Sequence, residues 1–162
     1  MSVHAEEGTT IISLGENNFL TEHDGHAVVG LSTETKWRIK AYQPSDDSPP
    51  FFMILLNSEG PEELCLALDT NEGDNENNVM LELLETPRPK TCQLWTFEEK
   101  AVMERLPPIM KARIQSAARP WLSAAIGGDV PLPRLYQNIA AVPNDTGSQA
   151  QKWKLDYVAV NE

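Results

Sequence analysis

Histidines and carboxylates that lie close together are the first residues in this chain with the chemistry to bind a metal ion. His23, Asp24 and His26 fall within four residues, and an acidic run occupies residues 69–76. The run resembles a calcium loop in charge only, because it lacks the bidentate glutamate that closes an EF-hand loop. Short polar turns that contain glycine are typical of solvated loops. The sequence therefore predicts no metal site and no other cofactor.

Motifs that assemble catalytic groups are missing from the sequence. It contains no Gly-x-Ser-x-Gly nucleophile motif and no His-Glu-x-x-His zinc motif. Neither a phosphate-binding glycine loop nor a dinucleotide fingerprint occurs. We therefore expect a protein without enzymatic activity.

Two basic side chains near prolines suit a different chemistry, the insertion of a cation into a protease pocket. Lys90 lies in the proline-bearing segment 86–91, and Arg134 lies in the similar segment 130–135. Prolines lower the entropy that a loop loses on binding, and a trypsin-like pocket pairs a basic side chain with a carboxylate. Arg88 is less suitable because Pro89 follows it. The termination of strands is a simpler explanation for these prolines.

The overall charge excludes several classes of partner. The chain has 24 acidic and 13 basic residues among 162, which gives a net charge of -11. Nucleic acids and anionic membrane surfaces would repel such a protein. The sequence also lacks an apolar stretch near the roughly 20 residues that cross a bilayer. We expect neither nucleic-acid binding nor membrane insertion.

The N-terminus and the cysteines indicate a reducing compartment. Residues 1–8 carry Glu6 and Glu7 and lack the basic and then apolar pattern of a signal peptide. The two cysteines, Cys65 and Cys92, are expected to be reduced thiols that pack as small apolar groups. A cytoplasmic protein, or one exported by an unconventional route, is predicted.

The elements that must position any site are indicated by three regularly spaced tryptophans. Trp37, Trp95 and Trp153 lie 58 residues apart, and alternating apolar residues follow each of them. This alternation is typical of strands with one buried face. Three shorter strand-like runs precede each tryptophan, which predicts three units of four strands over residues 1–43, 51–99 and 110–160. Residues 98–106 are rich in helix-forming side chains and are a candidate short helix.

The tryptophan strands resemble those of the ricin B-type β-trefoil, which is found in many small fungal lectins. Gln93 and Gln151 each stand two residues before a tryptophan and complete the Gln-x-Trp motif, whereas the first unit has Thr35 there. The resemblance implies an all-β fold, a single β-trefoil domain over residues 1–162 with pseudo-threefold symmetry. The cytosolic mushroom protease inhibitors of the β-trefoil type are a second, weaker resemblance.

The resemblance to ricin B-type lectins also implies where a sugar would bind. Such sites combine an aspartate after the second strand, an aromatic ring on the third strand and a nearby amide. The second unit offers one carboxylate and three amides without a ring, and the third offers a carboxylate, a ring and an amide. These candidates are Asp69, Asn75, Asn77 and Asn78 in the second unit, and Asp129, Tyr136 and Asn138 in the third.

Simpler explanations exist for the main members of both candidate sites. Asp69 is also explained as a turn-forming aspartate that bonds to its own backbone. Tyr136 is also explained as a core aromatic residue. No unit holds a complete set, so the sugar site stays a hypothesis at this point.

The predicted function is therefore that of a non-catalytic carbohydrate-binding protein of the ricin B-like lectin type, with glycans or glycoproteins as partners. One alternative is a protease inhibitor that acts through an exposed loop containing Lys90 or Arg134. Another is a protein-interaction module whose sugar sites have degenerated. The sequence leaves the sugar, the protease and the oligomeric state open.

Overall fold

The described residues of the protein, in a computed structural model, form an all-β architecture. They are residues 9–15, 17–31, 34–57, 62–70, 77–103, 109–127, 136–145 and 149–158. Helical structure within these ranges is limited to short 3-10 turns such as Thr91–Gln93 and Gln149–Gln151. The all-β prediction is confirmed.

Twelve strands are present in the described part of the chain. They are β1 (Thr9–Leu14), β2 (Asn18–His23), β3 (His26–Leu31), β4 (Lys36–Tyr42), β5 (Phe51–Leu56), β6 (Leu64–Leu68), β7 (Asn77–Leu83), β8 (Trp95–Met103), β9 (Ile109–Ser116), β10 (Leu122–Ile126), β11 (Tyr136–Pro143) and β12 (Trp153–Val158).

All twelve strands belong to one antiparallel sheet that closes on itself. Ten of them form a ring in the order β11, β3, β2, β1, β12, β9, β8, β5, β6 and β7, and the β11–β7 pairing closes it. The remaining two bridge this ring, since β4 pairs with β1 and β5, and β10 pairs with β9 and β11. Closure gives the backbone groups of the ring partners on both sides, which an open sheet edge lacks.

The prediction of a three-repeat β-trefoil is wrong, because the architecture is a closed ten-stranded antiparallel β-barrel. Long registers cross the expected unit boundaries, including β1–β12, β4–β5 and β8–β9. A sequence repeat reports local strand and turn patterns, whereas strand pairing depends on contacts far apart in the chain. The assignment of residues 1–162 to one domain stays a prediction.

The candidate short helix over residues 98–106 is not formed by the described residues 98–103, because they continue β8 to Met103. A β-bulge between Glu98 and Ala101 lets β8 pair with β9 on both sides of it. Glu99 sits at the bulge with a φ of 54°, in the left-handed region, and its Oε1 accepts a hydrogen bond from Arg113 at 2.8 Å. Pairing with β9 outweighs the helix propensity of these side chains.

The three regularly spaced tryptophans occupy matching environments in the core. Trp37, Trp95 and Trp153 are at most 1% exposed. Each indole N–H donates to a backbone carbonyl on the first strand of one of the hairpins β2–β3, β6–β7 and β10–β11, at 2.9–3.0 Å. The acceptors are Leu20 for Trp37, Leu66 for Trp95 and Ala124 for Trp153. The predicted burial of the tryptophans is confirmed, and each one ties a hairpin strand to the first residues of β4, β8 or β12.

Replacement of Trp95 by alanine should lower the free energy of unfolding by about 3–5 kcal/mol, the usual range for a large aromatic residue in a core. The fourth tryptophan, Trp121, is 51% exposed and supplies a matched control. Trp121→Ala should change the stability by no more than about 0.5 kcal/mol. Urea denaturation followed by circular dichroism measures both variants, and equal losses of stability would contradict the described core.

Candidate functional site

A small cavity lies where β3, β7 and β11 meet. Asn138 of β11 is opposite Val28 of β3, and Ala140 of β11 is opposite Asn78 of β7. The cavity has a volume of about 180 Å³. We call it the junction cavity, and its lining residues are His26, Ala27, Asp69, Asn78, Val79, Met80, Asn138 and Ile139.

The Asp69 wall of the junction cavity is held by hydrogen bonds at the end of the β6–β7 hairpin. The backbone N–H of Asp69 donates to the carbonyl of Asn78 at 2.9 Å. The side-chain amide of Asn77 donates to the carbonyl of Asp69 at 2.9 Å, and Asn77 is fully buried. These bonds fix the backbone at Asp69, and Asn77 therefore has a structural role in the wall.

The opposite walls come from two other hairpins. His26 begins β3 directly after the two-residue turn Asp24-Gly25, where φ values of 51° and 80° match the type I′ turn that Asp-Gly sequences favour. Asn138 belongs to β11, and its carbonyl accepts a hydrogen bond from Gly127 at 2.9 Å. Residues from three hairpins therefore line one cavity.

The lining combines polar groups with an apolar surface. Among the lining residues, Asp69 has a carboxylate that can accept hydrogen bonds, and Asn78 and Asn138 have amides that can both donate and accept. Val79, Met80 and Ile139 are the larger apolar lining residues. The volume is below the 300–1,000 Å³ that is usual for drug-sized ligands. The cavity is therefore suited to one small, hydroxyl-rich group.

The structure brings together candidates that the sequence placed in two separate sites. Asp69 and Asn78 of the second unit line the junction cavity with Asn138 of the third. Tyr136 is outside the lining; its ring stacks on His23 with centroids 4.2 Å apart and an interplanar angle of 23°. Asn75 and Asp129 lie outside the described residues.

Sequence reasoning missed His26 and Met80 as lining residues. The Asp24-Gly25 pair is a strong signal for a hairpin turn, so the position of His26 at a hairpin tip was accessible from the sequence. The sequence could not show which residues lie beside His26 in the cavity, because the β3–β11 and β7–β11 pairings join residues far apart in the chain.

The buried side chain of Gln93 holds the loop of residues 84–90 by hydrogen bonds. The Gln93 Oε1 atom accepts from the backbone N–H groups of Glu85 and Lys90, both at 3.1 Å. Its Nε2 atom donates to Glu82 at 2.7 Å and to the Leu83 carbonyl at 2.9 Å. The loop is therefore held at both of its ends by one amide.

The basic residues of this loop differ in their surroundings. The ammonium group of Lys90 lies 3.0 Å from Glu82, and its hydrogen bond with that carboxylate raises the pKa of Lys90. Arg88 is exposed between Pro87 and Pro89. Arg134, the other predicted inhibitory residue, lies outside the described part of the chain.

The equivalents of Gln93 brace other loops in similar ways. Gln151 accepts a hydrogen bond from the backbone N–H of Asp145 at 2.9 Å and donates to the Pro143 carbonyl at 2.8 Å. Thr35 replaces the glutamine in the first unit, and its hydroxyl bonds to that of Thr21. The Gln-x-Trp motif thus joins loop support to core packing.

Metal-binding clusters and membrane-spanning helices are both absent from the described ranges. No group of three His, Cys, Asp or Glu side chains within them is placed to hold a metal ion. None of their helical segments has the length and apolar character needed to cross a membrane.

Both thiols should react slowly with DTNB in the native protein at pH 8. Burial, followed by the negative charge of Glu82, raises the pKa of Cys65 to about 12, and burial also raises the pKa of the partly buried Cys92. The reactive thiolate is therefore scarce at both positions. Unfolding in urea should release two thiols per chain. A rapid native reaction, or fewer than two thiols after unfolding, would contradict this state.

Comparisons with known proteins add no family to this description. No protein-family model matches the chain, and no curated protein sequence matches it. The chemistry of the junction cavity and of the braced loop is therefore interpreted from their own residues.

Proposed function

We propose that the protein is a non-catalytic carbohydrate-binding protein that binds glycans or glycoproteins at the junction cavity. The convergence of Asp69, Asn78 and Asn138 on one cavity carries this proposal. A carboxylate accepts hydrogen bonds from sugar hydroxyls, the amides add donors and acceptors, and the apolar lining suits the C–H face of a sugar ring.

The composition of the cavity argues against hydrolysis of the bound sugar. Glycoside hydrolases of the usual kind place two carboxyl groups on either side of the scissile bond. Asp69 is the one carboxylate among the described residues that line the cavity. Binding without turnover is therefore the function that this lining supports.

The expected affinity for a single sugar is low. The described residues of the lining include no Trp, Tyr or Phe, although His26 is among them. A monosaccharide held mainly by hydrogen bonds exchanges bonds to water for bonds to the protein, so each contributes little net free energy. We expect dissociation constants on the order of millimolar, equivalent to about 4 kcal/mol.

The cellular setting belongs to the same proposal. Cys65 and Cys92 are free thiols, as expected for a protein in a reducing cytoplasm. The net charge of -11 favours neutral glycans over nucleic acids and anionic membranes. We propose a cytoplasmic location on this basis.

Asp69→Asn should weaken the binding of a monosaccharide at least tenfold, because it removes the charged acceptor from the cavity. Asn138→Ala should weaken it by a smaller factor. The control is Asp47→Asn, which makes the same change of charge at an exposed position in the 43–50 connector. Saturation-transfer NMR with glucose, galactose, mannose and N-acetylglucosamine provides the measurement. Equal binding by the wild type and Asp69→Asn would remove the junction cavity as the site.

Protease inhibition is a second candidate, favoured by the support that Gln93 gives to the loop of residues 84–90. A loop that is already ordered loses less entropy when it enters a protease cleft. Lys90 and Arg88 are both exposed, but the ammonium group of Lys90 is paired with Glu82 at 3.0 Å and Arg88 lies nearer the centre of the loop. Arg88 is therefore the better-presented cation for a trypsin-like pocket, although Pro89 follows it.

If the loop inhibits a trypsin-like protease, Arg88→Ala should abolish the inhibition and change the stability by less than about 0.5 kcal/mol. Lys90→Ala is the matched control and should retain inhibition, because Lys90 is paired within the protein. Inhibition constants against a panel of serine and cysteine proteases test this candidate. No inhibition by the wild type at micromolar concentration would eliminate it.

A further inference from the structure

Trp121 differs from the other tryptophans in position and exposure. It falls outside the 58-residue series, and 51% of its surface is exposed, whereas Trp37, Trp95 and Trp153 are at most 1% exposed. A half-exposed indole presents a flat apolar face on which a ligand can stack. Trp121 lies in the turn between β9 and β10, and we call residues 116–121 the tryptophan turn.

The tryptophan turn is rigidly held by hydrogen bonds within itself. Ser116 Oγ accepts from the backbone N–H of Arg119 at 3.0 Å, and the Arg119 carbonyl accepts from Leu122 at 2.9 Å. These bonds fix both ends of the turn.

Asn144 clamps the same turn from the end of β11. Its backbone N–H donates to the Trp121 carbonyl at 2.9 Å, and its side-chain amide donates to the Pro120 carbonyl at 2.8 Å. The Asn144 side chain is itself bonded to Ser123 and Gln115. Asn144 thus fixes the backbone that carries the indole.

The buried guanidinium group of Arg113 bonds to the same two residues as the Asn144 side chain, Gln115 and Ser123. Arg113 is 8% exposed, and its Nη1 atom donates to Gln115 at 2.7 Å and to Ser123 at 3.2 Å. Its Nε atom donates to Glu99 at 2.8 Å. Because the support is fixed before any ligand arrives, little conformational entropy remains to be lost when the exposed ring is covered.

Arg119 connects the tryptophan turn to the junction cavity. Its Nη2 atom donates to the Thr70 carbonyl at 3.2 Å, and Thr70 directly follows Asp69 in the cavity wall. The turn is therefore anchored next to the Asp69 end of the cavity.

We infer that Trp121 is the stacking platform of an extended subsite, which takes a further sugar unit of an oligosaccharide whose first unit occupies the junction cavity. This inference rests on the proposed carbohydrate-binding function and assigns it a ligand class, neutral oligosaccharides. The indole supplies the aromatic contact that the cavity lining lacks. The net charge of -11 and the carboxylate of Asp69 disfavour sulfated or carboxylated sugars.

A sugar fits this surface better than a protein partner. Stable protein interfaces bury about 800 Å² on each side and have an apolar core. The other large apolar residues that are exposed in the described ranges lie on β3, β7 and β10 rather than in the tryptophan turn; they are Leu31, Leu83 and Ile126. A single exposed ring, on a turn that Asn144 holds by hydrogen bonds, matches a pyranose, which has an apolar face and a hydroxyl rim.

The exposure pattern also supplies a direct readout. Because the other three tryptophans are buried, Trp121 is the one that an added ligand can cover and shield from acrylamide. The probes are glucose, galactose, mannose and N-acetylglucosamine, each as the monosaccharide and as a linear β-linked trisaccharide. We expect at least one trisaccharide to bind about tenfold more tightly than its monosaccharide and to protect the fluorescence from quenching.

Trp121→Ala should reduce the affinity for that trisaccharide to the level of the monosaccharide, a loss of about tenfold or about 1.4 kcal/mol. Trp121→Phe should retain part of the gain. Leu83→Ala, which removes another exposed apolar side chain, is the control and should bind like the wild type. Isothermal titration calorimetry and saturation-transfer NMR give the affinities of all three variants.

The outcomes separate this inference from the function on which it rests. If Trp121→Ala binds the trisaccharide as tightly as the wild type, the subsite is wrong while carbohydrate binding stands. The same conclusion follows if trisaccharides bind no more tightly than monosaccharides. If the wild type binds none of the probes, both the subsite and the proposed function are overturned.

Discussion

The hydrogen bond between a buried indole N–H and a hairpin carbonyl is the interaction on which this structure depends. It occurs three times, from Trp37, Trp95 and Trp153 to Leu20, Leu66 and Ala124. Each tryptophan fills the core and also satisfies a carbonyl that would be costly to bury without a partner. Because the acceptors lie on β2, β6 and β10, the bonds hold three hairpins against the strands β4, β8 and β12. The junction cavity lies among the strands of these hairpins, so its shape depends on them.

The glutamines two residues before Trp95 and Trp153 extend this principle from the core to the surface. Gln93 and Gln151 are buried, and each satisfies backbone groups of the loop that precedes it. An amide both donates and accepts, so one side chain can hold a loop at two points. Alanine there would leave several backbone groups unsatisfied. The loop of residues 84–90 and the tryptophan turn are therefore both preorganised, by Gln93 in one case and by Asn144 with Arg113 in the other.

Weak individual contacts and preorganisation together define the kind of binding that this surface can provide. The cavity is small and has one carboxylate among its described lining residues, which limits the affinity for one sugar. If the proposed carbohydrate binding is correct, a rigid indole in the tryptophan turn would add contact area without an additional ordering cost. A ligand with several sugar units would then gain affinity from two modest contacts that act together.

The sequence by itself determined which segments become strands, which tryptophans are buried and where the Asp24-Gly25 hairpin turn lies. Alternating apolar residues, β-branched residues and Asp-Gly turns determine backbone conformation through residues close in the chain. These features can therefore be predicted from the local sequence. Asp69, Asn78 and Asn138 were identified by residue type and by the resemblance, but they were placed in two sites. Only the tertiary structure decided that the strands close into a barrel, that residues 98–103 continue β8 instead of starting a helix, and that Asp69 and Asn138 share a cavity. It also decided that Trp121 stays exposed. Each of these outcomes depends on pairings such as β3–β11, β7–β11 and β8–β9, whose energies come from contacts between segments and are absent from any local pattern.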